Sequence, residues 1–193
     1  MRTAEARLAP FLERIHAQYD GGRFTDHDPI SVPMSYGRPE DQEVMAFVAA
    51  SLAFGNVKAI LGALTQLREP LGEHPARTLV ERDRRWLLRI TRGFRYRWID
   101  GQDMANLLGA LGEALRNHGG LEPLFARGQV TGAPDVLSGA ASLVEGLLDY
   151  IPPKGRARRG TRYLLTDVRG GSAALGPPWY LEIAFELAST LSV

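Results

Sequence analysis

The sequence predicts an all-α protein: a compact, irregular helical bundle that carries a basic loop and ends in an atypical C-terminal tail. Two observations predict this class. Apolar residues recur at spacings of three and four along most of the chain, which is the period of helices buried on one face. Between residues 11 and 148, only one short segment has the alternating pattern of an extended chain. Helices of this kind bury their apolar faces against one another around a core.

Length and composition bound the domain organisation. The 193 residues, 45% of them hydrophobic and 23% charged, have the composition of an ordinary globular protein. We divide them into a helical domain (1–153), a basic glycine-rich loop segment (154–174) and the atypical tail (175–193). Cysteine is absent, which excludes disulfides and thiolate chemistry and suits a cytoplasmic location. No apolar run approaches the roughly 20 residues that cross a bilayer, so no membrane partner is predicted.

The first helix is predicted over residues 3–19, and Gly21-Gly22 should end it. Its apolar residues lie at spacings of three and four: Leu8, Phe11, Leu12, Ile15 and Tyr19. This spacing is typical of an amphipathic helix.

The chain is organised around residues 24–60, which read FTDHDPISVPMSYGRPEDQEVMAFVAASLAFGNVKAI. Their first third predicts an irregular loop. Asp28-Pro29 and Val32-Pro33 should each be extended or in a turn, because a proline ring disfavours the α region for the residue before it.

A buried helix is predicted next, beginning near Pro39, because proline is tolerated at a first helical position. Acidic residues in its first turn complement the helix dipole: Glu40, Asp41 and Glu43. Gly55-Asn56 should end this helix, and Asn56 can cap the following one, which runs to about Pro70.

Short helices are predicted within residues 75–101, followed by one extended segment, GFRYRWID. In it Phe94, Tyr96 and Trp98 alternate with arginines. Two interpretations remain open. Aromatic side chains commonly anchor cores, and aromatic side chains interleaved with basic ones can also stack on bases and neutralise phosphates.

Two longer helices are predicted after this segment. Asp103 should cap the first, which ends at Gly119-Gly120, and Pro134 should begin the second, which ends at Pro152-Pro153. The basic loop follows. Residues 154–169 hold six basic residues and one acidic residue, a composition that fits either phosphate contact or a solvated loop.

The usual catalytic signatures are missing from the sequence: there is no phosphate-binding glycine loop, dinucleotide fingerprint, zinc-helix pattern or serine elbow. We therefore assign no catalytic residue, no metal ligand and no cofactor. His27 has acidic neighbours on both sides, an arrangement that can bind a metal or position a proton. The alternative function is thus a small-molecule or metal-dependent enzyme that uses this loop. The candidate loop-site residues are Asp26, His27, Asp28, Tyr36, Asp41, Asn56 and Lys58.

The central stretch resembles a bacterial domain-of-unknown-function family, numbered 2400, whose pattern is close to RF…DPI.FP.RY…D.E..GF.AA..A.GN.K.I. The matching positions are Arg23, Phe24, Asp28, Pro29, Ile30, Pro33, Tyr36, Asp41, Glu43, Phe47, Ala49, Ala50, Ala53, Gly55, Asn56, Lys58 and Ile60. Weaker resemblance continues through GFRYRW and GGLEPLFARG to RYLLTDVRGGSA, so that it spans roughly residues 10–174. Met34 and Ser35 stand where the family usually has histidine and arginine.

Full-length relatives in that family look similar to helix-hairpin-helix DNA glycosylases, so the resemblance implies a nucleic-acid-binding character. The residues expected to contact phosphate are Lys58, Arg156, Arg158, Arg159 and Arg162. After residue 174 the sequence no longer fits the family pattern. This implies a chain that is truncated or out of frame there, an incomplete member whose exposed surface would favour self-association. A helical interaction module without chemistry is a third interpretation.

Overall fold

The computed structural model describes residues 4–19, 28–132 and 135–166, and their architecture is all-α, as predicted. The helices run as α1 (Ala4–Tyr19), α2 (Ser31–Met34), α3 (Pro39–Leu52), α4 (Val57–Leu71), α5 (Pro75–Glu81), α6 (Arg84–Ile90), α7 (Gly101–His118), α8 (Glu122–Ala126), α9 (Leu137–Asp149), α10 (Pro153–Arg156) and α11 (Arg159–Leu164). Two short strands, β1 (Arg95–Tyr96) and β2 (Ile99–Asp100), form an antiparallel hairpin between α6 and α7.

Helix α7 lies at the centre of the core. Four large side chains on it are fully buried: Met104, Leu107, Leu108 and Leu111. Helices α5, α6, α9 and α11 all pack on α7. An apolar residue is therefore needed on nearly every side of this helix, which is why its sequence is richer in leucine and alanine than that of a surface helix.

The N-terminus of α7 is capped one turn earlier than the sequence predicted. The Asp100 side chain accepts hydrogen bonds from the backbone N–H groups of Gln102 (2.9 Å) and Asp103 (3.1 Å). The Asp103 side chain accepts in return from the Asp100 N–H (3.2 Å). The cap is thus Asp100, and Asp103 occupies the third helical position of a capping box.

A short helix forms at Val32-Pro33, where an extended or turn conformation was predicted. Val32 belongs to α2, and Pro33 lies within the first turn of that helix, where a backbone N–H has no intrahelical acceptor to lose. Asp28 supports this turn because its Oδ1 accepts the Ile30 N–H at 2.9 Å and its carbonyl accepts the Ser31 hydroxyl at 2.7 Å.

Three other elements differ from the predictions. The first part of the predicted basic loop segment (154–174) lies in α10 and α11, and residues 167–193 lie outside the described residues. Helix α9 begins at Leu137, and Pro134 lies in an undescribed gap. The predicted helix α1 is present, but four of its apolar side chains are exposed: Leu8, Phe11, Leu12 and Ile15. Among the described residues, no helix is both long and apolar enough to cross a membrane.

Candidate nucleic-acid interface

Four aromatic rings from three separate parts of the chain meet on one side of the bundle. Phe54 follows α3, Tyr96 and Trp98 belong to the hairpin, and Tyr163 lies on α11. The ring centroids of Phe54 lie 5.1 Å from Tyr96, 5.2 Å from Trp98 and 4.7 Å from Tyr163. Trp98 and Tyr163 are edge-to-face at 5.0 Å. We call these four residues the aromatic cluster, and their spacing is that of favourable aromatic pairs.

The aromatic cluster has a buried end and an exposed end. Tyr96 is buried, and its hydroxyl donates a hydrogen bond to the Phe54 carbonyl. Burial raises the pKa values of the Tyr96 and Tyr163 hydroxyls above their ordinary value. Trp98 keeps 37% of its surface exposed. Within GFRYRWID, Phe94 and Tyr96 therefore anchor the core, whereas Trp98 packs on Phe54 and Tyr163 and still presents part of its ring to solvent.

Two arginines flank the exposed indole. The guanidinium carbon of Arg159 lies 5.6 Å from the Trp98 ring centroid, and that of Arg97 lies 5.8 Å from Trp98 and 5.7 Å from Phe54. Arg97 and Trp98 are the two turn residues of the hairpin, since Tyr96 pairs with Ile99. Arg97 has φ of 54°, a left-handed conformation that costs a non-glycine residue about 1–2 kcal/mol. Backbone strain of this kind is concentrated at functional sites.

The residues that join α3 to α4 pack against the aromatic cluster. Gly55 has φ of 111°, and a Cβ atom there would lie 3.2 Å from Arg97 Nε and 3.3 Å from the Tyr96 hydroxyl. The position is therefore fixed by close approach as well as by backbone conformation. Asn56 caps α4, since its Oδ1 accepts the Lys58 N–H at 2.9 Å, and the Lys58 side chain is exposed beside this turn.

A buried polar network holds α11 and its basic residues against α7. Asp103, which is 1% exposed, accepts hydrogen bonds at Oδ1 from Arg158 Nε (2.8 Å), the Thr161 N–H (3.1 Å) and the Thr161 hydroxyl (3.0 Å). Arg158 also pairs with Asp100 at 2.5 Å. Burial acts to raise the pKa of Asp100, but the N–H of Asp103 and the charge of Arg158 outweigh it, so this pKa lies below its ordinary value.

The predicted phosphate-contacting residues therefore divide into two groups. Arg158 is committed to Asp100 and Asp103, and Arg156 donates to the carbonyls of Ile151 and Asp149, which closes the end of α9. By contrast, Arg159 lies over Trp98, and the side chains of Lys58 and Arg162 are exposed. Lys58, Arg159 and Arg162 are therefore available to a ligand. Arg156 and Arg158 instead hold in position the segment that carries Arg159 and Arg162.

Sequence reasoning missed a second basic stretch beside the aromatic cluster. Between residues 82 and 97 the only acidic residue is Asp83, and the seven arginines are all exposed: Arg82, Arg84, Arg85, Arg89, Arg92, Arg95 and Arg97. Arg84 donates to Asn106 Oδ1 (2.7 Å), and Asn106 Nδ2 donates to the Thr161 hydroxyl (3.0 Å). This chain of bonds places the start of α6 next to α11. This local surplus of arginine is visible in the sequence, but the net charge of the whole chain, which is close to zero, does not reveal it.

The candidate loop-site residues are not gathered at one place. Asp26 and His27 lie outside the described residues, and Asp28 supports α2. Tyr36 and Asp41 lie at the N-terminal end of α3, whereas Asn56 and Lys58 follow its C-terminal end. A 14-residue helix is about 20 Å long, so the two pairs are well separated. In the part of the chain that the structure describes, no cluster of three or more metal-ligating side chains is present.

Glu43, an acidic residue in the predicted first turn of α3, is instead half-buried against the start of α8. Its Oε1 accepts the Leu121 N–H at 3.1 Å. Burial raises the pKa of Glu43 above its ordinary value of 4.5, and the hydrogen bonds from the Leu121 and Glu122 N–H groups offset this only in part. The folded state therefore holds this proton more tightly than the unfolded state does.

We expect Glu43→Gln to stabilise the protein progressively as pH rises. Between 4.5 and the higher folded-state pKa, the folded wild-type protein binds more protons than the unfolded chain, so Glu43 lowers stability as pH rises through this window. Glutamine cannot ionise and keeps an oxygen that can accept the Leu121 N–H. Urea unfolding of both proteins from pH 4 to 7 measures the difference. Glu69→Gln, at an exposed position on α4, is the control, and a difference independent of pH would contradict the assignment.

The fold and this surface together define a small helical protein with an aromatic and arginine-rich face. The chain matches the family described as "Protein of unknown function (DUF2400)" over residues 28–175, and it belongs to that family. The resemblance of the central stretch is thereby confirmed. No curated protein and no solved structure matches the chain.

Proposed function

We propose that this protein binds single-stranded nucleic acid on the face formed by the aromatic cluster and the neighbouring arginines. The observation that carries the proposal is the exposed Trp98 indole, which is held on Phe54 and Tyr163 and flanked by Arg97 and Arg159. A nucleic-acid-binding character is also what the resemblance to glycosylase-like relatives implies.

Single strands suit this surface better than duplexes. A base can stack on the face of an indole only if it is free of its partner and its neighbours. Such stacking contributes about 1–3 kcal/mol per base and tolerates any base, since every base has a π face. Because Trp98 already packs on Phe54 and Tyr163, we expect little side-chain entropy to be lost on binding.

Backbone phosphates would be met by the exposed cations around the aromatic cluster. Arg97 and Arg159 flank the indole, Arg162 lies one turn beyond Arg159 on α11, and Lys58 lies beside the joint that supports Phe54. The arginines of residues 82–97 extend the positive surface along α6. Arg156 and Arg158 would act indirectly, by holding α10 and α11 in place.

We expect Trp98→Ala to weaken binding of an oligothymidylate or oligouridylate strand by about 5- to 150-fold, the equivalent of 1–3 kcal/mol of lost stacking. Trp98→Phe keeps an aromatic face and should recover most of this loss. Fluorescence anisotropy over a range of salt concentrations measures both the affinity and its electrostatic part. Four phosphate contacts predict that the logarithm of the binding constant falls with the logarithm of salt concentration with a slope of about −3.

Two further variants separate charge from folding. Arg97→Gly removes a guanidinium but introduces the residue that best tolerates a positive φ, so it should weaken binding at little cost in stability. Arg127→Gln removes an exposed charge next to α8, away from the aromatic cluster, and should change binding little. The proposal is wrong if the wild-type protein binds no single strand, or if it prefers the annealed duplex and Trp98→Ala leaves that binding unchanged.

A further inference from the structure

A pocket of about 650 Å³ lies at the other end of α3, between the α2–α3 connection and the C-terminal half of α4. Its polar lining residues include Ser35, Tyr36, Arg68, Glu69, Glu73 and His74. This volume falls within the range of small-molecule sites, which is about 300–1,000 Å³. The pocket is separated by the length of α3 from the aromatic cluster, so it is independent of the proposed nucleic-acid interface.

Arg68 is the group in this pocket that is best suited to an anion. Its guanidinium carbon lies 5.4 Å from the Tyr36 ring centroid. Among the residues that the structure describes, Arg68 has no carboxylate partner within 4 Å. Burial raises the pKa of the Tyr36 hydroxyl above its ordinary value, and the nearby Arg68 guanidinium offsets this only in part. Because no carboxylate of the described residues neutralises it, the planar guanidinium can bind a phosphate or carboxylate in a bidentate manner.

His74 is held at the pocket by a buried carboxylate. Its Nδ1 lies 3.2 Å from Asp41 Oδ2, and Asp41 Oδ1 accepts the Ala76 N–H at 2.9 Å. Because a carboxylate oxygen can only accept, Nδ1 must carry the proton, and Nε2 is the ring's remaining polar atom. Asp41 is 2% exposed, whereas the His74 side chain is 51% exposed. A fixed carboxylate thus orients an accessible imidazole.

Tyr36 contributes a polar group that the protein itself leaves unsatisfied. The residue is 6% exposed, and within the described residues its hydroxyl has no hydrogen-bond partner. A ligand that hydrogen-bonds to this hydroxyl would satisfy it, which favours binding at this position.

Glu69 and Glu73 determine what kind of anion fits. Both are exposed residues of the pocket lining, and among the described residues neither has a basic partner within 4 Å. They would repel a simple anion but favour an ammonium group or hydroxyl groups on the same ligand. We propose that the pocket binds a small zwitterionic molecule, whose phosphate or carboxylate group is bound by Arg68 and whose ammonium group faces the two glutamates.

Two matched probes test the proposal and distinguish the two anions: 2-aminoethyl phosphate and β-alanine carry an ammonium group with either a phosphate or a carboxylate. Ethanolamine lacks the anion, and inorganic phosphate and acetate lack the ammonium group. NMR titration that follows the His74 ring nitrogens measures binding at the site. We expect a saturable shift with at least one zwitterion at millimolar concentration, and at least tenfold weaker binding of both simple anions and of ethanolamine.

Variants of the lining residues decide whether these groups are responsible. Arg68→Gln should weaken zwitterion binding at least tenfold, whereas Arg92→Gln, at an exposed position after α6, should not change it. Tyr36→Phe removes a hydroxyl that has no partner, so it should weaken binding without lowering the melting temperature. Glu73→Gln should weaken binding of the zwitterion but strengthen binding of the simple anion.

Two results would overturn the proposal: no saturable His74 shift with either zwitterion, or a shift that has the same affinity in Arg68→Gln and Tyr36→Phe as in the wild type. Oligonucleotide binding should be unchanged by Arg68→Gln. Failure of the pocket proposal therefore leaves the nucleic-acid interface untouched, and the reverse also holds.

Discussion

Replacing Asp103 with alanine should lower the free energy of unfolding by about 3–5 kcal/mol, because it removes a buried carboxylate that pairs with the half-buried Arg158. The substitution removes the acceptor for Arg158 Nε, the Thr161 N–H and the Thr161 hydroxyl together. It also removes half of the capping box at the start of α7. Asn106 then loses the ordered hydroxyl that accepts its Nδ2 hydrogen bond. Urea unfolding at neutral pH measures the change.

Asp83→Ala is the matched control for this substitution. Asp83 caps α6 and accepts the Trp86 N–H at 2.8 Å, but it is exposed and pairs with no arginine among the described residues. Loss of a cap alone costs about 0.5–2 kcal/mol. If Asp103→Ala costs no more than Asp83→Ala, then the network contributes no more than a cap, and α11 must be held by its apolar contacts.

The same network links stability to the proposed interface. Arg159 and Tyr163 lie on α11, which is bonded to α7 through Thr161 and Arg158. Gly160 fits there because a Cβ atom would lie 2.2 Å from Asp103 Oδ2. The position of Tyr163 within the aromatic cluster therefore depends on how α11 packs on α7. Asp103→Ala should weaken nucleic-acid binding even at temperatures where the variant is still folded.

Sequence reasoning was most successful where the cause of a structure is local. The periodicity of apolar residues predicted α3, α4, α7 and α9, because burial of one face imposes the helical repeat. Proline at the start of α3 and Asn56 before α4 act within a few residues of themselves, and both are found where they were expected. The cap of α7 was misplaced by three residues because two acids share the capping box and either could have been the cap.

The parts of the candidate sites that could not be predicted depend on contacts between distant residues. Trp98 and Tyr163 are 65 positions apart in sequence yet their rings meet at 5.0 Å. The segment after residue 153 is basic and glycine-rich, which is typical of a loop. It nevertheless forms helices, and the buried Asp103 on α7 accepts a hydrogen bond from the second of them. Asp41 and His74 likewise come together through the packing of α5 on α3. No local pattern distinguishes Trp98 from Tyr96, although one is exposed and the other is buried.

Two glycine substitutions in the same helix should change stability in opposite directions. At Gly112 of α7, a Cβ atom would lie 2.6 Å from the Leu79 carbonyl oxygen and 3.3 Å from its carbon. The obstacle is backbone, so no side chain can rotate away and α5 itself must move. We expect Gly112→Ala to lower the free energy of unfolding by about 1–3 kcal/mol, the usual cost of overpacking a core.

Gly109→Ala is the counterpart, one turn earlier in α7. There the nearest atom to a new Cβ would be Leu87 Cδ1 at 3.5 Å, which is an ordinary van der Waals contact. Alanine in a helix interior is favoured over glycine by about 0.5–1 kcal/mol, so this variant should be more stable than the wild type. Urea midpoints measured with unchanged m-values would establish both signs. Stabilisation by both variants would mean that helix propensity, and not the close approach of α5 to α7, determines stability at these positions. If the two variants change stability in opposite directions, Gly112→Ala should also loosen the start of α5, where Asp41 accepts the Ala76 N–H. Zwitterion binding at His74 should then be weaker in this variant.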